Sequence, residues 1–372
     1  MRLLIIDTNY IGTDGITNVI RNLFCGMDKT DMQTDIVVIN QPGDAFQAMF
    51  EAEGGHVYVL PRNIKHPFRY VHTLRRVIKQ GRYDAVHVHG SSATLAFEMT
   101  AAWLAGCKVR IAHSHNTTCV YKGIHRLLTP LFRLLCTHRL ACGVEAGKWL
   151  YGKAPDAVVN NGVDTARFAF AQEPRMRLRE QYGILDEQKL IVHVGAFIER
   201  KNQSFLLDVM MHLDPTYKLM LIGEGMLFSA VKKRVKDLGL EDRVIIAGVT
   251  DQVPDYLSAS DFIALPSLFE GLPLTLIEAQ SSGLPCIVSD RVTQEVDKTG
   301  NVLFLSLDDG AKCWAEAIQR IELPEDRNRA SEDAIEKIKA CGYDIQTSAA
   351  WLKDYYCNAV NEVGKSNDAG RY

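Results

Sequence analysis

Short apolar runs alternate with helix-patterned stretches along almost the whole chain, and that rhythm limits the fold more than any other feature. Runs such as Arg2-Leu-Leu-Ile-Ile-Asp7 and Asp261-Phe-Ile-Ala-Leu265 are short and nearly all apolar. They are too short for a buried helix and read as strands covered on both faces. In the first half, strands are expected near 2–7, 35–39, 57–60, 84–88, 109–113, 138–142 and 157–160. In the second half they are expected near 190–195, 218–222, 243–247, 261–265, 285–289 and 302–305. Strand and helix in strict alternation specify an α/β protein with parallel sheets and helices on both faces. The rhythm breaks at 171–180, a charged segment that reads as a linker with a short helix. With 372 residues the chain has room for two domains. They are expected at 1–170 and 171–342. The polar tail 364–372 is expected to fray.

Composition removes several classes. No run approaches the roughly 20 apolar residues of a membrane span. The opening segment is short and soon acidic, so it reads as a strand and not as a signal peptide. Nine cysteines show no Cys-X-X-Cys and no paired spacing, which fits reduced thiols and neither disulfides nor a metal site. Residues 1–170 carry 19 Lys+Arg against 13 Asp+Glu, and the remainder carries 23 against 32. The first half is therefore the one expected to face something anionic. No nucleic-acid recognition motif accompanies that charge, so no nucleic-acid partner is expected.

Chemistry is densest in Pro266-Ser-Leu-Phe-Glu-Gly-Leu-Pro-Leu-Thr-Leu-Ile-Glu278. It follows an expected strand, turns at Gly271-Leu272-Pro273, and enters a helix near Leu274 that should stop at Gly283. Pro273 is placed at the first helical position. Glu270 lies in the turn and Glu278 in the helix. A helix start offers unpaired N–H groups and a positive dipole end to a phosphate, and flanking carboxylates can hold sugar hydroxyls. A second loop, Val194-Gly-Ala-Phe-Ile-Glu-Arg-Lys-Asn202, sets Arg200 and Lys201 after a strand and Gly195. That pair alone would read as solvated surface charge; after a strand and a glycine it reads as a diphosphate grip. The first strand-to-helix turn carries Gly12 and Gly15, and Gly15 at a helix start would let the backbone approach a phosphate.

Together with Val159-Asn-Asn-Gly-Val-Asp-Thr-Ala-Arg-Phe168, Leu221-Ile-Gly-Glu-Gly225, Arg110-Ile-Ala-His-Ser-His-Asn-Thr117 and Ala141-Cys-Gly-Val-Glu-Ala-Gly-Lys-Trp-Leu150, these motifs resemble glycosyltransferase family 4, in particular members that build bacterial exopolysaccharides and capsules. The resemblance spans nearly the whole chain. It implies the GT-B fold, two Rossmann-like domains facing a cleft, with a last helix at about 343–363 returning to the first domain. It implies retaining transfer of a hexose or N-acetylhexosamine from a UDP-sugar to a polyprenyl-diphosphate-linked glycan, on the cytoplasmic face of the cell membrane. It gives Glu278 the ribose hydroxyls, Glu270 the donor sugar, and His115 the sugar or its phosphate. The donor site is expected from Gly15, Gly195, Arg200, Lys201, Gly271, Leu272, Pro273, Leu274 and Glu278, with His115, Glu270, Arg200 and Lys201 closest to the reaction. Many glycosyltransferases use Asp-X-Asp and a divalent metal; this chain has no Asp-X-Asp, so metal-independent transfer without a cofactor is expected. Where the family usually has arginine after the loop glycine, this chain has Ala196; where similar sequences often have serine, it has Gly143.

His87 and His89 end an expected strand and could line a cleft, and His113 reads as an ordinary strand-end histidine. Their spacing would allow a metal cluster, but no acidic partner stands near them in sequence, and no metal is expected. For the acceptor and an anionic membrane surface, the basic amphipathic stretch with Arg62, Lys65, Arg69, Arg75 and Arg76 is the first candidate, equally readable as a packed helix. A second basic-apolar run, 122–139, reads as a packed helix. Three alternatives remain: a UDP-sugar epimerase on the same fold, a sugar-nucleotide-binding protein without turnover, and a dinucleotide oxidoreductase. The last lacks Gly-X-Gly-X-X-Gly after the first strand.

Overall fold

The computed structural model describes residues 1–11, 15–62 and 66–368, with side chains to Val363. The chain forms two compact units, Met1–Gly162 with the final helix Ile345–Asp368, and Val163–Asp344. The divisions fall at 162/163 and 344/345, not at 170/171 and 342/343. Val163 already donates to the Tyr343 carbonyl at 2.8 Å, and Thr165 Oγ1 donates to the Asp344 carboxylate at 2.6 Å. Residues 171–180 are not a linker. The helix Gln172–Gln181 packs on the helix Val253–Ala259, and its Arg175 and Arg179 both reach Asp261, at 2.7 and 3.2 Å.

Unit 1 is a sheet of seven strands: β1 Arg2–Asp7, β2 Gln33–Val38, β3 Val57–Val59, β4 Ala85–Gly90, β5 Val109–Ser114, β6 His138–Ala141 and β7 Ala157–Val158. Their order is β3-β2-β1-β4-β5-β6-β7, with parallel pairings throughout. Alternate strand residues feed opposite faces. Leu4, Ile6 and Val88 pack with the helices Pro67–Gly81 and Lys122–Leu135, while Leu3, Ile5 and Ile111 pack with Gly15–Gly26 and the final helix.

Unit 2 is a six-stranded parallel sheet: β8 Lys189–Val194, β9 Tyr217–Ile222, β10 Val244–Gly248, β11 Phe262–Leu265, β12 Cys286–Ser289 and β13 Val302–Leu305. Its order is β10-β9-β8-β11-β12-β13. The order reverses between β8 and β11, and the helices that follow those two strands lie on opposite faces of the sheet, the arrangement at whose strand ends such sheets hold ligands. The neighbouring β9 loop is pressed against the β8 loop. A Cβ on Gly223 (φ +133) would stand 2.2 Å from the Gly195 carbonyl oxygen, and one on Gly225 would stand 2.5 Å from that of Phe197.

Gly223→Ala is therefore expected to destabilise unit 2 by at least about 2 kcal/mol, through strained backbone and a displaced β8 loop. Urea denaturation measures it; an unchanged midpoint would show that the loop contact is not needed.

Candidate functional site

In unit 2 the two loops at the switch point are tied together by backbone. After β8 the chain makes a short turn, Glu199–Lys201, and Asn202 takes a left-handed conformation (φ 55) that starts the helix Gln203–Met210. Asn202 Nδ2 donates to the Pro266 carbonyl at 3.2 Å, and the Leu268 N–H donates to the Arg200 carbonyl at 2.8 Å. Glu270 also forms an isolated parallel bridge with Val292. These ties bring Arg200, Lys201 and Glu270 together. Lys201 Nζ lies 2.8 Å from Glu270 Oε1, an ionic contact outside hydrogen-bond alignment, and Arg200 Nη1 stands 4.0 Å from Oε2. Lys201 and Glu270 expose only 13% and 8% of their side chains, whereas Arg200 exposes 49%. The cation expected to hold diphosphate and the carboxylate expected to face sugar are thus partners.

Gly195 is part of the same cluster: a Cβ there would meet Lys201 Cε at 3.2 Å. Ala196, next to it, is exposed, and its carbonyl accepts from Gln203 Nε2 at 2.9 Å. The helix Leu274–Ser281 follows the β11 loop, with Gly283 (φ +65) just beyond its end. Pro273 is its N-cap and not its first residue, and no side chain caps it. The first-turn N–H groups therefore lack the side-chain acceptor that Ser or Asp would supply. Leu272 is half-buried against the core, Leu274 likewise, and Glu278 sits half-buried on this helix. Gly271 has open space where a Cβ would be.

Two residues of this region escaped the sequence reading. His193, two positions before Gly195, is fully buried; its Nδ1 lies 2.9 Å from the Ala264 carbonyl, and its Nε2 has no partner. Burial pushes its pKa down to about 4, so the ring is neutral at neutral pH. Ser267 is also fully buried with an unpartnered hydroxyl. The available signal was a polar residue inside the apolar run 190–195.

Unit 1 supplies His115 and Gly15. Gly15 opens the helix Gly15–Gly26 and is exposed, and a Cβ there would meet nothing within 4 Å; Gly12 lies outside the described residues. His115 follows β5, and its Nε2 lies 2.9 Å from His89 Nδ1. Burial pushes His115 down to about 3, so it too is neutral. His87, His89 and His113 do not line an open surface: they are 0%, 2% and 0% exposed.

The basic stretch behaves differently from expectation. Arg62 is not free for lipid; it forms a two-pronged pair with buried Glu98, at 2.8 and 3.1 Å. Lys65 lies outside the described residues. In the helix Pro67–Gly81, Tyr70, Leu74 and Ile78 are buried, which turns its apolar side to the core. Arg75 Nε donates to the Leu104 carbonyl, while Arg69 and Arg76 stay exposed. The second run packs as expected, through His125, Phe132 and Leu135, and also bares an apolar stripe. Along Lys122–Leu135, Leu127, Leu131 and Leu134 are 78%, 42% and 78% exposed, preceded by exposed Val120 and Tyr121. Exposed Lys122, Arg126 and Arg133 flank that stripe at helical spacing.

A profile of the group 1 glycosyl transferases matches residues 174–337, and one of the glycosyl transferase 4-like domain matches 14–146. EpsF of Bacillus subtilis (strain 168), named as a glycosyltransferase, is 33% identical over 360 residues, covering 92% of this chain and 93% of its own. The UDP-Gal:alpha-D-GlcNAc-diphosphoundecaprenol alpha-1,3-galactosyltransferase of Escherichia coli is 29% identical over 316 residues, covering 77% and 79%. Among solved structures, Anabaena HepE in complex with UDP and glucose superposes with a TM-score of 0.73 at 17% identity, over 95% of this chain and 99% of that one.

Lys201→Met should cost about 1–3 kcal/mol, since it strands the buried Glu270 carboxylate; adding Glu270→Gln should recover most of that loss. Urea denaturation of the two single variants and the double variant measures the coupling, and strictly additive losses would show that the pair is not a unit.

Proposed function

We propose, on the premise that this chain belongs to the group 1 glycosyl transferases, that it moves a hexose or N-acetylhexosamine from a UDP-sugar to a polyprenyl-diphosphate-linked glycan, with retention, during exopolysaccharide or capsule assembly. The observation that carries the reading is the Lys201–Glu270 contact, with Arg200 beside it, at the strand-order reversal of unit 2. The E. coli relative's name supports a UDP-linked donor and a diphosphoundecaprenol acceptor.

In this mechanism Arg200 and Lys201 neutralise the donor diphosphate, helped by the uncapped start of the helix Leu274–Ser281. No divalent ion is assigned to that task. Glu278 accepts hydrogen bonds from the ribose hydroxyls. Glu270 holds Lys201 in place before the donor arrives and then meets sugar hydroxyls. The bond from the anomeric carbon to the phosphate oxygen breaks, the acceptor oxygen bonds to that carbon on the same face, and the acceptor proton passes to the leaving diphosphate. Neutral His115 offers one N–H to the donor sugar or phosphate.

The acceptor's lipid places the enzyme at the inner face of the cell membrane. No helix among the described residues is long and apolar enough to cross it. The leucine stripe of Lys122–Leu135, with its arginines alongside, is the better candidate for an interfacial contact than the stretch around Arg62.

A UDP-sugar should raise Tm by several degrees equally with magnesium or with chelator, since a ligand at 100 times its Kd adds about 2.7 kcal/mol. Loss of the shift under chelator would overturn the metal-free account. Glu278→Ala should weaken the shift, and Lys201→Ala should abolish transfer. Replacing Leu127 and Leu134 by serine should cut binding to anionic vesicles at least about tenfold, while the UDP-sugar shift persists. Unchanged vesicle binding would move the membrane contact elsewhere.

A further inference from the structure

A group of histidines in the core of unit 1 has no role in the transfer chemistry. His87 and His89 alternate along β4, and His89 pairs in register with His113 on β5, so all three point to one face of the sheet. One ring nitrogen from each lies within 4.8 Å of the other two. Two features separate this cluster from ordinary buried histidines. First, His87 Nε2 and both ring nitrogens of His113 are buried without a hydrogen-bond partner. Unpaired buried polar atoms cost roughly 1–3 kcal/mol each, so three in one cluster call for an occupant. Second, one nitrogen each of His87 and His89 is held. His87 Nδ1 meets the Tyr356 hydroxyl at 2.6 Å, and His89 Nδ1 meets His115 Nε2 at 2.9 Å. A hydrogen bond on one ring nitrogen, with the other left open, is how proteins orient metal-binding imidazoles.

We propose that His87, His89 and His113 bind a single late first-row divalent ion, with zinc the first candidate, in the core of unit 1. Imidazole nitrogens suit this group of metals. Burial holds all three rings well below the usual histidine range, and neutral imidazole is the ligating form. At Zn–N distances of about 2.0–2.1 Å the nitrogens must approach to about 3.4 Å, which requires the rings to rotate. The rings of His87 and His113 lie nearly parallel, 4° apart, and must tilt to converge. A carboxyl group is at hand on the next strand: Asp7 pairs in register with His89, is fully buried, and accepts from Thr17 Oγ1 at 2.9 Å. Along the chain this group is hidden, because Asp7 is about 80 residues from His87. The ion would tie β4 to β5, and through Tyr356 to the final helix. It belongs to unit 1 and leaves the diphosphate to the cations of unit 2.

The test uses the full chain, stripped with chelator and titrated with Zn²⁺ by calorimetry, and with Co²⁺ for its visible absorption. One equivalent should bind, with Tm rising by at least about 3 °C at a hundredfold excess over Kd. His113→Leu should lose this uptake, and the surface control His212→Ala should keep it. Tyr356→Phe, which removes only one hydroxyl, should weaken binding about 10- to 100-fold. That loss keeps the proposal testable if His113→Leu fails to fold, because a merely structural tyrosine would not alter metal affinity. Equal uptake by wild type and His113→Leu, no uptake by either, or Tyr356→Phe binding at wild-type strength would overturn the proposal.

Discussion

Glu270 and Lys201 face each other with little water around either, and much of unit 2 is arranged to keep them so. A buried charge is tolerated only beside its opposite, and the contact needs two loops from different strands to arrive at one place. Four structural devices bring them there. The reversal of strand order between β8 and β11 sends the two chains to opposite faces beyond their loops, and the left-handed turn at Asn202 aims the first loop. The Asn202 and Arg200 bonds to the second loop fix their spacing, and the side-chain-free Gly223 and Gly225 let the β9 loop press from behind. The contact also localises Lys201, so in the proposed reaction less side-chain entropy would remain to be lost when a diphosphate binds.

The strands were legible because each is a short apolar run bounded by polar turns, and burial on both faces leaves that pattern little freedom. The loops were legible for another reason. Glycine and proline at fixed offsets announce tight turns, and charged residues inside such turns stand out. Where the reading failed, the same residue type served an opposite purpose. Arg175 and Arg179 look like a solvated linker, yet both turn inward to Asp261 and nearby carbonyls. Arg62 looks like surface charge, yet it saturates a buried glutamate. Which side of a helix meets the core depends on the neighbouring helix, and one chain's periodicity cannot supply that. Hence the helix Pro67–Gly81 hides its apolar side while Lys122–Leu135 shows part of its own. His193 and the β4–β5 histidines were obscure because their meaning lies in register between strands.

Residues 163–344 form unit 2 as one uninterrupted stretch, whereas unit 1 is assembled from two pieces that flank it. The final helix contributes Ile345, Ala349, Leu352 and Tyr356, each at most 4% exposed, to the core beneath β1, β4 and β5. During synthesis on a ribosome that core therefore stays open on one side until the helix Ile345–Asp368 emerges, after all of unit 2 has left the exit tunnel. The later-encoded unit is free to mature first, and the earlier one waits as a half-covered sheet whose inward histidines remain wet and reachable from solution until its lid is made.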